Sequence, residues 1–219
     1  MHITTSTGAA LDLGFRGYTC NWGAHLCGLY ETAEERDEIV FGFLSAGDKD
    51  GDLQLYCHAN GTEEDFHRSM AAVCPQCADH THDTNRFRVL STEELYCPTG
   101  VFSPWDMDRG LNEFFVASQA NGPRNVRATA DMVWALEFIP GVEHLMAYES
   151  RLNNFIQGKP WISICLYDVT RFNGAQVMKV LRTHPYAING GVVTENPYYQ
   201  DPDRWLAEHA PQFLAESRE

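Results

Sequence analysis

Histidines, cysteines, carboxylates and aromatics recur along this chain in short groups that suggest binding chemistry. His25-x-Cys27-x-x-Tyr30 sets an imidazole and a thiol two residues apart. Residues two apart share one face of a strand, so His25 and Cys27 would meet the same ligand or metal ion. Further on stand Cys57-His58, Asp131-Met132 with Trp134, Glu149 and Asn153, Cys165 with Tyr167-Asp168, and His184-Pro185. Glu149 and Asn153 are four apart and fall on one helix face as an inward polar pair, or as a helix-packing hydrogen bond. Pro185 forces an extended backbone on His184, which fixes where its imidazole points. Trp134 and Tyr167 each offer an apolar wall with one polar handle. Such a set suits a small, partly apolar ligand held by a few polar groups. Each Cys or His taken singly is also explained by core packing.

Two other readings use the same residues. A metal or haem sensor would take His25, Cys27 and His184 as ligands, although no C-x-x-C-H haem-attachment motif occurs. An enzyme would use a Cys27 thiolate with His25 or His184 as its base. No nucleophile motif accompanies Cys27, and an acidic background raises a thiol pKa. A separate segment, Cys74-Pro75-Gln76-Cys77-Ala78-Asp79-His80-Thr81-His82, offers zinc four ligands, Cys74, Cys77, His80 and His82. The C-x-x-C opening fits a tetrahedral site, but His80 and His82 are closer than the usual histidine spacing. Cys74, Cys77 and one histidine, completed by Cys97 or Cys57, form the alternative shell. A surface loop with incidental Cys and His is the plain explanation.

The elements that must position these residues alternate between short apolar runs and longer amphipathic segments, the pattern of a mainly parallel sheet. A first strand is expected within Tyr18–Cys27. Thr32 with Glu35 opens a helix by a capping-box pattern, with Ile39, Val40, Phe43 and Leu44 inward and Gly47 and Gly51 ending it. Further strands are expected at Leu53–Cys57, Arg86–Leu90, Asn125–Asp131 and Trp161–Tyr167, with short ones at Tyr186–Ile188 and Gly191–Thr194. Helices are expected from Thr62, from Ser103-Pro104, over Gly141–Gln157, over Gln176–Leu181 and from near Asp203. Open α/β sheets bind ligands beyond the carboxyl ends of their strands. That rule gathers His25, Cys27, Tyr30, His58, Asp131, Trp134, Tyr167 and Asp168 at one sheet edge, with His184 close by.

With 219 residues, 44% apolar and 12% aromatic, the chain can bury a sizeable core. Thirty Asp and Glu against sixteen Lys and Arg give a net charge of −14. That charge repels phosphate backbones and anionic lipid, so nucleic acid and membrane are poor partners. No apolar run approaches the roughly 20 residues of a membrane helix, and the start lacks a secretory signal. A cytoplasmic location with reduced cysteines is expected. Residues 1–14 are expected to be flexible, and residues 15–219 to form one domain.

His25-Leu26-Cys27-Gly28-Leu29-Tyr30, Asp131-Met132-Val133-Trp134-Ala135-Leu136-Glu137, Tyr148-Glu149-Ser150-Arg151-Leu152-Asn153, Ile164-Cys165-Leu166-Tyr167-Asp168, Arg182-Thr183-His184-Pro185 and Asn196-Pro197-Tyr198-Tyr199 follow one another in order. In these stretches the chain resembles the MEDS domains, DcmR-type sensory domains of methanogens and methylotrophs. The resemblance implies a RecA/KaiC-like three-layer α/β sandwich whose nucleotide loop has been lost. No G-x-x-x-x-G-K-[ST] occurs, and Glu31, Glu34 and Glu35 stand where phosphate would lie, so ATP is not expected. It further implies sensing of a small hydrocarbon derivative, with output through a separate signalling protein such as a kinase or transcription regulator. The oligomeric state is left open.

Overall fold

The central strands are apolar without alternation, the mark of a sheet covered on both faces. Every residue of Trp161–Tyr167 is buried, and so are five of the six residues of His25–Tyr30. The computed structural model describes residues 10–214. In chain order its strands are β1 (Leu11–Asp12), β2 (Thr19–Cys20), β3 (His25–Tyr30), β4 (Leu53–His58), β5 (Phe87–Ser91), β6 (Val126–Asp131), β7 (Trp161–Asp168), β8 (Tyr186–Asn189) and β9 (Val192–Glu195). Its helices are α1 (Ala33–Asp50), α2 (Glu63–Val73), α3 (Thr92–Tyr96), α4 (Pro104–Ser118), α5 (Leu145–Ile156), α6 (Gly174–Thr183) and α7 (Pro202–His209).

Seven strands form one sheet in the order β5-β4-β6-β7-β3-β8-β9, parallel throughout except for the antiparallel edge strand β9. Helices α1 and α2 cover one face, against Leu26, Ile162, Ile164 and Leu166. Helices α4, α5 and α6 cover the other, against Cys27, Leu55, Cys165 and Tyr167. The result is the expected three-layer α/β arrangement. Helix α7 lies outside α5, where Trp205, Leu206 and Phe213 close over Ala147.

Local chemistry sets the helix ends. Thr32 Oγ1 accepts the Glu35 N–H at 3.2 Å, and Gly51, at φ 78°, stops α1. Gly141 precedes α5 at φ 90°, and a Cβ there would lie 2.0 Å from the Phe102 carbonyl oxygen. Only glycine permits that approach, and it fixes where α5 begins. Among the described residues no helix is long and apolar enough to cross a membrane.

Two expectations change. The first parallel strand runs from His25 to Tyr30 rather than within Tyr18–Cys27; only Thr19–Cys20 of the earlier segment is extended, pairing with Leu11–Asp12. Gly23, at φ 84°, turns the chain between them. Of the expected flexible start, residues 1–9 lie outside the described residues. Leu11–Gly14 is part of the fold, with Leu13 fully buried.

Candidate functional site

The shift of the first strand moves His25 from a carboxyl end to the amino end of β3. Parallel register then sets His25 beside Ser163 and Cys27 beside Cys165 on the face that α5 covers. Glu149, on α5, points down between them. His184 ends α6 and enters β8, held extended as its Pro185 neighbour requires. Four side chains from four elements thus converge in the core: His25, Glu149, Cys165 and His184, with their ligand atoms all within 4.8 Å of one another.

The distances are short and mutual. His25 Nε2 lies 3.2 Å from Glu149 Oε2 and 3.4 Å from Cys165 Sγ. His184 Nε2 lies 3.5 Å from the same carboxylate oxygen, and Cys165 Sγ lies 3.6 Å from it. Tyr167 donates its hydroxyl to the other oxygen, Glu149 Oε1, at 3.0 Å. The two imidazole rings stand 4.0 Å apart. His184 Nδ1 is 2.8 Å from the Val180 carbonyl oxygen, which can only accept, so Nδ1 carries the hydrogen. In a neutral His184, Nε2 therefore aims a lone pair into the cluster. Asn153 supports the site from behind, donating to the carbonyls of Glu149 at 2.9 Å and Thr183 at 2.8 Å.

Burial governs the charge states. Desolvation, helped by His184, pulls His25 down to about 4, so its ring is neutral at pH 7. Burial would raise Glu149, but the two imidazoles outweigh it and hold the carboxyl well below its ordinary range. Desolvation pushes the Cys27 thiol up to about 12 and Cys165 well above its ordinary value. Cys27 spends its S–H on the Tyr186 carbonyl at 3.6 Å.

The remaining expected ligand residues lie elsewhere. Tyr30, Asp131 and Asp168 are at the carboxyl edge, some way along the strands from His25. There Tyr30 donates to Asp131 at 3.4 Å and Arg36 stands 3.8 Å from the same carboxylate. Asp168 accepts from Thr170 N at 2.9 Å and Thr170 Oγ1 at 2.6 Å, a turn contact. Trp134 is buried, stacked on Tyr96 at 4.7 Å. It borders a depression of about 890 Å³ shared with His58. The single rim cluster expected from the carboxyl-end rule is thus two sets, because His25 and His184 begin their strands while Tyr30 and Asp131 end theirs.

Between α3 and α4 a cleft of about 400 Å³ opens over Leu55, Leu90 and Met107. Its inner residues Leu55, Leu95, Tyr96 and Leu111 also line a cavity of about 30 Å³ that reaches Cys165 beneath Tyr148 and Leu152. Small residues on β6, Ala128 and Ala130, leave that space. Leu95 and Tyr96 were not among the expected site residues. Their signal is Ser91-x-x-Glu94, a capping box that starts α3 and turns them inward.

The proposed zinc set at Cys74–His82 is not assembled. Cys74 and Cys77 are joined as a disulfide, so neither offers a thiolate and not all seven cysteines are reduced. His80 pairs with Asp48 at 2.9 Å, and the His82 ring lies tilted against His67 with centroids 3.8 Å apart. The alternative partners, Cys57 and Cys97, belong to the core on the opposite face of the sheet.

Comparison with known proteins bears on these features. The family model described as MEDS, the methanogen/methylotroph DcmR sensory domain, matches residues 24–185. The transcriptional repressor DcmR of Methylorubrum extorquens is 26% identical over 161 residues, covering 73% of this chain. The chain spans 57% of that relative's length. A KaiC-like protein of the hyperthermophilic archaeon Pyrococcus horikoshii superposes with a TM-score of 0.56 at 11% identity, covering 83% of this chain and 80% of that one. That likeness establishes a KaiC-like, RecA-type fold.

Proposed function

The chain belongs to the MEDS family of sensory domains, and from that premise we propose that it senses a small, largely apolar molecule bound in the α3–α4 cleft. One observation carries this reading: Leu55, Leu95, Tyr96 and Leu111 line both the open cleft and the inner cavity. A ligand entering from solvent therefore meets an apolar path toward the core. Binding favours one placement of α3 and the Pro98–Val101 loop, and a regulatory protein, a transcription regulator or kinase module, reads that surface. The transcriptional repressor among its relatives supports this kind of output.

Binding without catalysis agrees with the thiol chemistry, since Cys27 at about 12 carries almost no thiolate at neutral pH. A haem gains no support, because His25 and His184 are sealed from solvent with their rings 4.0 Å apart. Nor does a nucleoside triphosphate. Only Glu31 and Thr32 separate β3 from α1, and the Glu35 carboxylate accepts the Glu31 N–H at 2.8 Å, where a phosphate would need it.

Thermal melting against a series of short-chain alcohols, thiols and haloalkanes tests the reading. A ligand of the cleft raises Tm saturably with its concentration. Leu111→Trp, which fills the inner end, abolishes that rise in a protein that still melts cooperatively. No saturable shift with any member of the series, or an unchanged shift in Leu111→Trp, refutes it.

A further inference from the structure

A carboxylate with no exposed surface stands among three other potential ligands. Glu149 is wholly buried, and among the described residues no arginine or lysine pairs with it. An ionised carboxylate so placed requires a compensating charge. Its neighbours offer one proton from Tyr167, one from Cys165 and, with His25 Nδ1 unpartnered, one from His25 Nε2 at 3.2 Å, while a neutral His184 directs the lone pair of Nε2 at it. When His184 is neutral, its lone pair and the carboxylate oxygen face each other across 3.5 Å, and a cation between them would satisfy both.

We propose that His25 Nε2, His184 Nε2, Glu149 Oε2 and Cys165 Sγ form a tetrahedral site for a divalent transition-metal ion, zinc by ligand class. The edge lengths carry the assignment. Bonds of about 2.0–2.1 Å to nitrogen and oxygen and about 2.3 Å to sulfur, at tetrahedral angles, place ligand atoms about 3.3–3.6 Å apart. Four of the six edges are 3.2, 3.4, 3.5 and 3.6 Å, with the nitrogen–oxygen pairs at 3.2 and 3.5 Å and the sulfur pairs at 3.4 and 3.6 Å. The two from His184 Nε2 to His25 Nε2 and Cys165 Sγ lie within 4.8 Å, so binding would draw His184 inward. The charges also balance. A dication with one thiolate, one carboxylate and two neutral imidazoles is electrically neutral, the form least costly to bury. Binding releases the Cys165 thiol proton to solvent.

Outer contacts complete the design. The Val180 carbonyl fixes the His184 tautomer at 2.8 Å, and Tyr167 holds the non-ligating Glu149 oxygen at 3.0 Å. Cys27 stays outside the shell, its thiol committed to Tyr186. The site rests on cluster geometry alone and stands whether or not the cleft binds an apolar molecule.

The test uses the whole chain, made without a histidine tag in medium supplemented with Zn²⁺ or Co²⁺. The expected result is about one ion per chain. The cobalt protein should show a thiolate-to-cobalt charge-transfer band and tetrahedral visible bands. Both should vanish in Cys165→Ser and persist in the Cys74→Ser/Cys77→Ser double variant. Tyr167→Phe should weaken retention against a chelator by about tenfold. Less than about 0.1 equivalent of metal in the wild type, or a cobalt spectrum without the thiolate band, overturns the proposal whatever the variants do. Full retention in Cys165→Ser, or loss confined to the double variant, overturns it as well.

Discussion

Asp131 shows how position along a strand separates residues that look alike in sequence. It ends β6, where its side chain is almost wholly buried yet, among the described residues, meets Tyr30, the Val133 N–H at 3.2 Å and a distant Arg36. Burial, the largest influence, pushes its carboxyl above the ordinary value. A folded-state pKa above the unfolded one means that ionising Asp131 costs stability at neutral pH, and that the cost disappears as pH falls through the folded pKa. Asp131→Asn keeps the acceptor oxygen and removes the charge. Urea denaturation should find the variant more stable than wild type at pH 7, with the difference shrinking as pH drops toward 4. A variant less stable at pH 7 would contradict this. Glu149 shows the opposite direction, because two imidazoles face it rather than one remote guanidinium.

At the level of elements, α3 is short and depends on its ends. It spans five residues, too few to be stable alone, and its first turn is closed by Ser91 and Glu94. Ser91 Oγ accepts the Glu94 N–H at 3.2 Å, while the Glu94 carboxylate accepts the Ser91 N–H at 2.7 Å. Ser91→Ala should cost about 1 kcal/mol and speed hydrogen exchange over Thr92–Tyr96 selectively. Unchanged exchange there would mean that packing of Tyr96 against Trp134 and Tyr148 holds the element without its cap. Since α3 forms one wall of the cleft, the same change should weaken any ligand bound there.

Across the whole molecule, one buried cation joins parts distant in sequence. Arg127 is fully buried on β6 and donates to Asp52 at 2.7 Å, Asp50 at 3.0 Å and the Asp12 carbonyl at 2.6 Å. It ties the sheet to the end of α1 and to the β1–β2 ribbon. Arg127→Ala leaves the buried Asp52 with Asn125 as its donor at 2.8 Å but without a compensating charge, and should cost about 3–5 kcal/mol, read from urea denaturation. A loss below about 1 kcal/mol would show that solvent reaches Asp52 and that the ribbon docks by its apolar contacts.

Much of the architecture was legible in residue order. Unbroken apolar runs, helix caps and in-order motifs determined the parallel sheet, the α/β class, the family and most of the residues that matter, among them His25, Glu149, Cys165, Tyr167 and His184. Those signals act over a few residues, and each is fixed by local hydrogen bonding or by period. The tertiary structure decided which of these residues meet. Whether His25 begins or ends its strand depends on the turn at Gly23 and on register with β7, neither of which has a local signature. The cavity beside Ala128 and Ala130 likewise arises from packing between distant segments, whereas the Cys74–Cys77 disulfide and the capped turn of α3 join residues only three apart. Side-chain type is written in the chain, but the three-dimensional neighbours that set its charge and ligands are supplied only when the layers close.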